Sequence, residues 1–188
     1  MLGLTIGMKA TGRSVFFWAE RTHSQVIIGK WTGMDRLLGY LRQDFGKRHA
    51  CLSKQPDGQE VLLFKAMGRN GNWPMEITLE EDGGVMSICS MLPLTITRAR
   101  RQAIAELVTR LNDAAEEGRF EPPDAGGRIR YRSRHDVPSS AGNAGPRLAV
   151  ERHVSVVDGD LSSFFAVAAG GQTPVEAVDQ LERMRRYG

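Results

Sequence analysis

The stretch Glu60–Leu92, EVLLFKAMGRNGNWPMEITLEEDGGVMSICSML, decides the fold class of this chain. It holds three apolar segments, separated by turn signals at Asn70-Gly71 and Asp82–Gly84. From Met75 to Glu80 apolar and polar side chains alternate, which is typical of an antiparallel strand with one buried face. We therefore expect a three-stranded meander, with strands over Glu60–Met67, Met75–Glu81 and Val85–Leu92.

Helical periodicity appears on both sides of this meander. On the N-terminal side, apolar residues recur at helical spacing within Thr32–Phe45, and Gly46 follows as a C-terminal cap. On the C-terminal side, the longest helix is expected to run from Thr97, its N-cap, to about Glu117, with Gly118 ending it. Helices should therefore flank the sheet.

The chain then continues with a strand, a linker and an apolar segment. We expect a strand over Arg128–Arg134 and a flexible linker over the Gly/Ser-rich residues Asp136–Pro146. Apolar side chains keep helical spacing from Val150 to Ala168, although the β-branched run Val154–Val157 and the internal Gly159 weaken the case for a helix there.

The C-terminal segment carries a specific helix start. Thr173 is the cap, Pro174 takes the first helical position and Glu176 completes a capping box, so a short helix to about Arg185 is expected. Clustered strands flanked by helices predict an α+β fold, in which an antiparallel sheet is made of the meander plus one or more further strands. We assign this domain to residues 32–188. Residues 1–31 precede it as an extension, either a short hairpin or a partly disordered segment.

Composition favours one globular domain with an extension. The 188 residues are 41% hydrophobic and carry a formal net charge of +3, a smaller imbalance than dedicated nucleic-acid binders show. Cys51 and Cys89 are distant in sequence and belong to no CxxC or Cys/His cluster, which argues against zinc and thioredoxin-like motifs. No uninterrupted apolar run approaches membrane-spanning length. We expect a cytoplasmic protein with a reduced cysteine pair and no membrane contact.

The sequence offers no recognisable catalytic machinery. It has no G-x-S-x-G elbow, no Walker loop and no G-x-G-x-x-G. His49-Ala50-Cys51 is the nearest approach of a histidine to a cysteine, and it lacks the third, orienting group that an activated nucleophile needs. We therefore expect a non-enzymatic protein with no catalytic, cofactor-binding or metal-binding residues.

Two groups of arginines are more closely clustered than the charged residues of an ordinary protein surface. The first alternates along the last predicted strand, so that its four guanidinium groups share one face while Ile129 and Tyr131 face the core. These are Arg128, Arg130, Arg132 and Arg134, called the arginine row below. The second group opens the longest helix, whose last turn is acidic, so both ends oppose the helix dipole. It consists of Arg98, Arg100 and Arg101, and the acidic residues are Asp113, Glu116 and Glu117.

Each arginine group has two interpretations. Like charges repel, so acidic partners within the fold are favoured: Glu76 and Glu80 for the row, Glu81 and Asp82 for the helix. The alternative is that these arginines bind an anion, an acidic polypeptide or nucleic acid. The sequence lacks the interleaved aromatic residues of an RNA-binding sheet.

Three segments resemble the YbjN family of bacterial proteins, which are described as sensory transduction regulators. They are MEITLEEDGGVMSICSMLPL from Met75, LVTRLND from Leu107 and EGRFEPPDAGGRIRYRSR from Glu117. The ending Gly170-Gly171-x-Thr173-Pro174-x-Glu176-Ala177 is also similar. The resemblance covers about residues 32–188, whereas residues 1–31 and the linker depart from it.

The resemblance implies a fold similar to type III secretion chaperones and a homodimer that binds protein segments. It implies no catalytic residues. A chaperone-like or regulatory protein-binding module is therefore the leading hypothesis, with a protein partner of unknown identity. A nucleic-acid-binding module that uses the arginine row is the alternative.

Overall fold

The computed structural model describes Gly39 and residues 50–56, 58–80, 84–137 and 144–187. The predicted extension 1–31 lies outside the described residues. So does the predicted helix Thr32–Phe45, apart from Gly39, which is helical. The boundary between extension and domain stays a prediction.

Six strands form one antiparallel sheet. They are β1 (Ala50–Lys54), β2 (Glu60–Met67), β3 (Asn72–Leu79), β4 (Val85–Thr95), β5 (Arg119–Phe120) and β6 (Arg128–Asp136). The order across the sheet is β1-β2-β3-β4-β6-β5. The predicted meander β2–β4 and the α+β fold class are confirmed.

Several strand bounds differ from the prediction. β3 begins at Asn72 rather than Met75, because Trp73 packs into the core with 1% of its surface exposed. β4 and β6 extend three and two residues beyond their predicted ends, Leu92 and Arg134. β1 and β5 were not predicted, since neither contains a long apolar alternation.

Three α-helices follow the meander. They are α1 (Arg101–Asp113), α2 (Ala144–Ala169) and α3 (Pro174–Tyr187), and a 3-10 turn, Arg98–Arg100, precedes α1. The capping box of α3 is confirmed, because Thr173 N donates to Glu176 Oε2 at 2.8 Å and Glu176 N donates to Thr173 Oγ1 at 3.3 Å. Among the described helices, none is long and apolar enough to cross a bilayer.

The predicted helix Thr97–Glu117 is wrong at both ends. Thr97 makes no side-chain cap, and the α-helix begins only at Arg101. It stops at Asp113 because the Asn112 amide bonds both backbone groups of Phe120, accepting from its N at 2.8 Å and donating to its O at 2.9 Å. The chain thereby turns back into β5 instead of continuing the helix.

Gly118 lies in this return loop, not at the end of a helix. Its φ is +71°, and an added Cβ would stand 2.5 Å from the Tyr131 hydroxyl oxygen. That hydroxyl donates to the Glu117 carbonyl. Glycine is therefore required here both by conformation and by space.

α2 is one continuous helix through the segment whose helicity the sequence left in doubt. Val150 and Val157 are completely buried, so packing overrides the weak helix propensity of the β-branched run. The predicted linker Asp136–Pro146 is correspondingly shorter, because Asp136 ends β6 and Pro146 is already helical.

The helices cover one face of the sheet. Inward residues of the strands form a single core with α1 and α2, and Ile129 and Tyr131 face it as predicted, with 0% and 1% of their surface exposed. The alternate residues of β3, β4 and β6 point to the opposite face. That face carries the arginine row.

Candidate sheet-face site

The arginine row is neutralised mainly by the loop that precedes β6. Arg128 Nη2 lies 2.9 Å from Asp124 Oδ2, and Arg130 lies between Asp124 and Glu121 at 3.7 Å and 3.6 Å. Arg132 pairs with Glu121 as well. The expected local partners therefore exist, but most of them are Glu121 and Asp124 and not the predicted Glu76 and Glu80.

The two partners that were predicted behave differently. Glu80 pairs with Arg134 as expected. Glu76 lies two strands away from the row and forms no salt bridge with its members, although Arg132 and Arg130 act on it electrostatically. Burial raises the pKa of Glu76, and these two arginines oppose that rise. Glu76 is thus a half-buried carboxyl on the polar face.

A hollow of about 840 Å³ crosses this polar face. One end lies at the β1–β2 turn and the other at the loop between α1 and β5. Its charged lining comprises three carboxylates and three guanidinium groups, Glu76, Glu116, Glu117, Arg119, Arg132 and Arg134. Its neutral polar lining comprises amides, hydroxyls and a thiol, from Gln55, Gln59, Thr78, Ser87 and Cys89. The hollow can therefore offer both hydrogen-bond donors and acceptors.

Strand pairing places the two cysteines in one row across the sheet. Cys51 pairs with Leu63, Leu63 with Glu76, and Glu76 with Cys89. Three strand spacings of about 4.8 Å therefore separate the two cysteines, roughly 14 Å in all. That exceeds the Cα separation of a disulfide, so the chain cannot bridge them internally.

The two thiols should react at different rates. Cys51 is exposed on the edge strand, whereas Cys89 is half-buried and burial raises the pKa of its thiol, which lowers its thiolate fraction. We expect iodoacetamide at pH 8 to alkylate Cys51 at least ~10-fold faster than Cys89. Mass spectrometry of wild type, Cys51→Ser and Cys89→Ser measures both rates. Equal rates, or an internal disulfide under mild oxidation, would contradict this placement.

The second arginine group is dispersed rather than gathered into a site. Arg101 Nη2 donates to the Ala125 carbonyl at 2.7 Å. Arg100 packs against Gly170, where an added Cβ would meet its guanidinium at 1.7 Å. A cation at this end of α2 is favourable for the helix dipole. The predicted partners Glu81 and Asp82 lie outside the described residues, and an anion-binding role for Arg98, Arg100 and Arg101 stays a prediction.

A chain of buried hydrogen bonds, which was not predicted from the sequence, lies on the other face of the sheet. His153 of α2 contacts Ser90 Oγ through Nε2 at 2.8 Å and Ser133 Oγ through Nδ1 at 2.6 Å. Trp73 Nε1 donates to Ser90 at 2.9 Å, and His135 Nε2 contacts Ser133 at 2.8 Å. Every group in this chain has a hydrogen-bond partner if each one donates to the next, from the Trp73 indole through Ser90, His153 and Ser133 to His135.

This chain of hydrogen bonds stabilises the core and is not arranged for nucleophilic catalysis. Ser90 is completely buried and His153 is 1% exposed, so a substrate cannot reach either group. Burial lowers the pKa of His153 to about 3, which keeps its ring neutral. At its outer end His135 approaches Glu117 at 3.9 Å, and Arg152 pairs with the same carboxylate at 2.9 Å. One feature of the sequence could have indicated this chain of hydrogen bonds: Ser90 and Ser133 are polar residues at positions where the alternation of their strands points inward.

Within the described part of the chain, no three His, Cys, Asp or Glu side chains are grouped to hold a metal ion. His49, the histidine closest to Cys51 in sequence, lies outside that part.

Neither the family models nor the curated proteins compared with this chain give a match. The YbjN resemblance is therefore a prediction that rests on the quoted segments alone.

Proposed function

We propose that this chain is a non-enzymatic protein-binding module that receives an extended polypeptide segment in the hollow of its polar sheet face. The supporting observation is the balance of the lining, three carboxylates against three guanidinium groups among amides and hydroxyls. With the resemblance described above, we extend the proposal to a YbjN-like, chaperone-like or regulatory homodimer of the bacterial cytoplasm.

The size of the hollow fits a short extended segment. It crosses from the β1–β2 turn to Arg119 of β5. Four strand spacings of about 4.8 Å give roughly 19 Å, the length of about six residues of extended chain. A polypeptide of mixed charge presents both donors and acceptors along that length, as the lining requires.

The alternative, nucleic-acid binding by the arginine row, has weaker support. A polyanion needs surplus positive charge, because affinity comes largely from neutralised phosphates. Each arginine of the row already faces Asp124, Glu121 or Glu80. A nucleic acid would have to displace those ion pairs before it gained its own.

A hollow-filling variant tests the proposal. Peptides selected from a random display library against the wild type are expected to bind Ser87→Trp at least ~10-fold more weakly, because an indole would occupy the hollow. Met91→Trp is the matched control. Met91 is on the same face of β4, four residues further along, and it does not line the hollow. Titration calorimetry measures both.

Two results would overturn the proposal. One is that no peptide is enriched, or that the enriched peptides bind both variants equally. The other is that a labelled single-stranded oligonucleotide binds with steep salt dependence and loses affinity in Arg130→Ala/Arg132→Ala, which would favour the nucleic-acid alternative.

A further inference from the structure

A second concave site lies among the three helices and adjoins the sheet hollow at Glu116 and Glu117. This cleft of about 680 Å³ is bounded by the end of α1, the middle of α2 and the last turn of α3. Its apolar lining comes from Leu111, Ala114, Ala115, Phe120 and Val156. Its charged lining comes from Glu116, Glu117, Arg152, Asp160 and Arg185. A cleft of this size with an apolar part and convergent charges can hold a small amphipathic molecule.

Asp160 is the buried charged group of this cleft. Only 3% of its surface is exposed, and Arg185 Nη2 reaches its Oδ1 at 2.6 Å. The arginine side chain is itself 56% exposed and extends from the end of α3. The cleft thus already holds one cationic group against a buried carboxylate, and that cation can move away into solvent.

Gly159 keeps the cleft open beside Asp160. It lies inside α2, and an added Cβ would meet no atom within 4 Å. Core packing therefore does not require glycine there, although glycine is a poor helix former. A larger side chain at this position would enter the cleft.

The charged side chains that line the cleft leave a negative surplus. Glu116, Glu117 and Asp160 stand against two arginines, and Glu117 is held by Arg152 at 2.9 Å. The C-terminal end of α1 adds the partial negative charge of its carbonyl groups, and Arg119 offsets part of it by donating to the Ala115 and Gly118 carbonyls. The site favours a positive ligand over a negative one.

We propose that this cleft binds a small organic cation, a primary ammonium group attached to an apolar body. The ammonium group lies by Asp160 and the end of α1, and the apolar body covers Leu111, Phe120 and Val156. The cleft shares Glu116 and Glu117 with the sheet hollow, but the contacts proposed here, at Asp160, Leu111, Phe120 and Val156, are not part of the hollow and do not depend on its function.

Probe titrations test the proposal on the full chain. Hexylammonium is expected to bind at least ~10-fold more tightly than hexanoate or 1-hexanol, as followed by amide chemical shifts. Gly159→Leu should weaken hexylammonium binding at least ~10-fold by filling the cleft, whereas Gly159→Ala, the matched control, should bind as the wild type does. Asp160→Asn should remove the preference for the cation.

Thermal unfolding shows which variants are folded. The binding test needs only one folded variant, either Gly159→Leu or Asp160→Asn. The proposal is overturned if hexylammonium does not bind, or if it binds no better than 1-hexanol. It is equally overturned if binding survives unchanged in the folded variant.

Discussion

Replacing His153 with alanine is expected to lower the free energy of unfolding by about 3–5 kcal/mol. The imidazole is 1% exposed and joins α2 to both β4 and β6 through Ser90 and Ser133. Its removal leaves a cavity, and the buried Ser90 and Ser133 hydroxyl groups each lose one of their two hydrogen-bond partners. Urea unfolding followed by far-ultraviolet circular dichroism measures the effect.

His135→Ala is the matched control for this prediction. His135 contacts the same Ser133 hydroxyl but lies at the outer end of the polar chain, where it is partly exposed. Its loss is expected to cost about 1 kcal/mol, the contribution of one hydrogen bond. If His153→Ala cost no more than His135→Ala, the buried chain would not hold the helix layer to the sheet.

The second large effect is expected in the pH dependence of Asp160→Asn. Burial raises the pKa of Asp160 from 3.8 to about 6, so the stability that its protonation contributes is present below pH 3.8 and lost as pH rises through 6. That loss totals about 3 kcal/mol. Burial lowers the pKa of His153 from 6.5 to about 3, so its contribution is present above pH 6.5 and lost as pH falls.

These two groups oppose each other between pH 4 and pH 6 in the wild type. Asp160→Asn removes one of them, so the remaining slope from His153 should lower the variant's free energy of unfolding by about 1.4 kcal/mol per pH unit below 6.5. Urea midpoints from pH 7 to pH 4 measure this, with Glu116→Gln as the control for losing an exposed carboxylate. Parallel pH profiles of wild type and Asp160→Asn would contradict the burial of this group.

The sheet was predictable where local signals agree. The alternation over Met75–Glu80 and the two turn signals placed the meander, and the capping box placed α3. The end of α1 was not predictable, because it depends on Asn112 bonding Phe120, a contact between two elements. β1 and β5 form because neighbouring strands supply hydrogen-bond partners, and periodicity within a short segment carries little of that information.

The candidate sites were also predictable only where a local pattern in the sequence indicates them. Alternation showed that the arginine row shares a face, but its partners Glu121 and Asp124 approach only because the preceding loop folds over that face. The hydrogen-bond chain at His153 joins residues of four elements. Because these residues are distant in sequence, no local pattern predicts that their polar side chains meet. The cleft at Asp160 is likewise formed by three helices whose packing the sequence does not state.

Whether the polar sheet face receives a polypeptide segment can be measured by mapping amide chemical shifts while a selected peptide is added. We expect the largest shifts on the strands beneath the hollow, at Glu76, Thr78, Ser87, Cys89 and Arg132. Shifts confined to the helices, or to the cleft around Asp160, would contradict it.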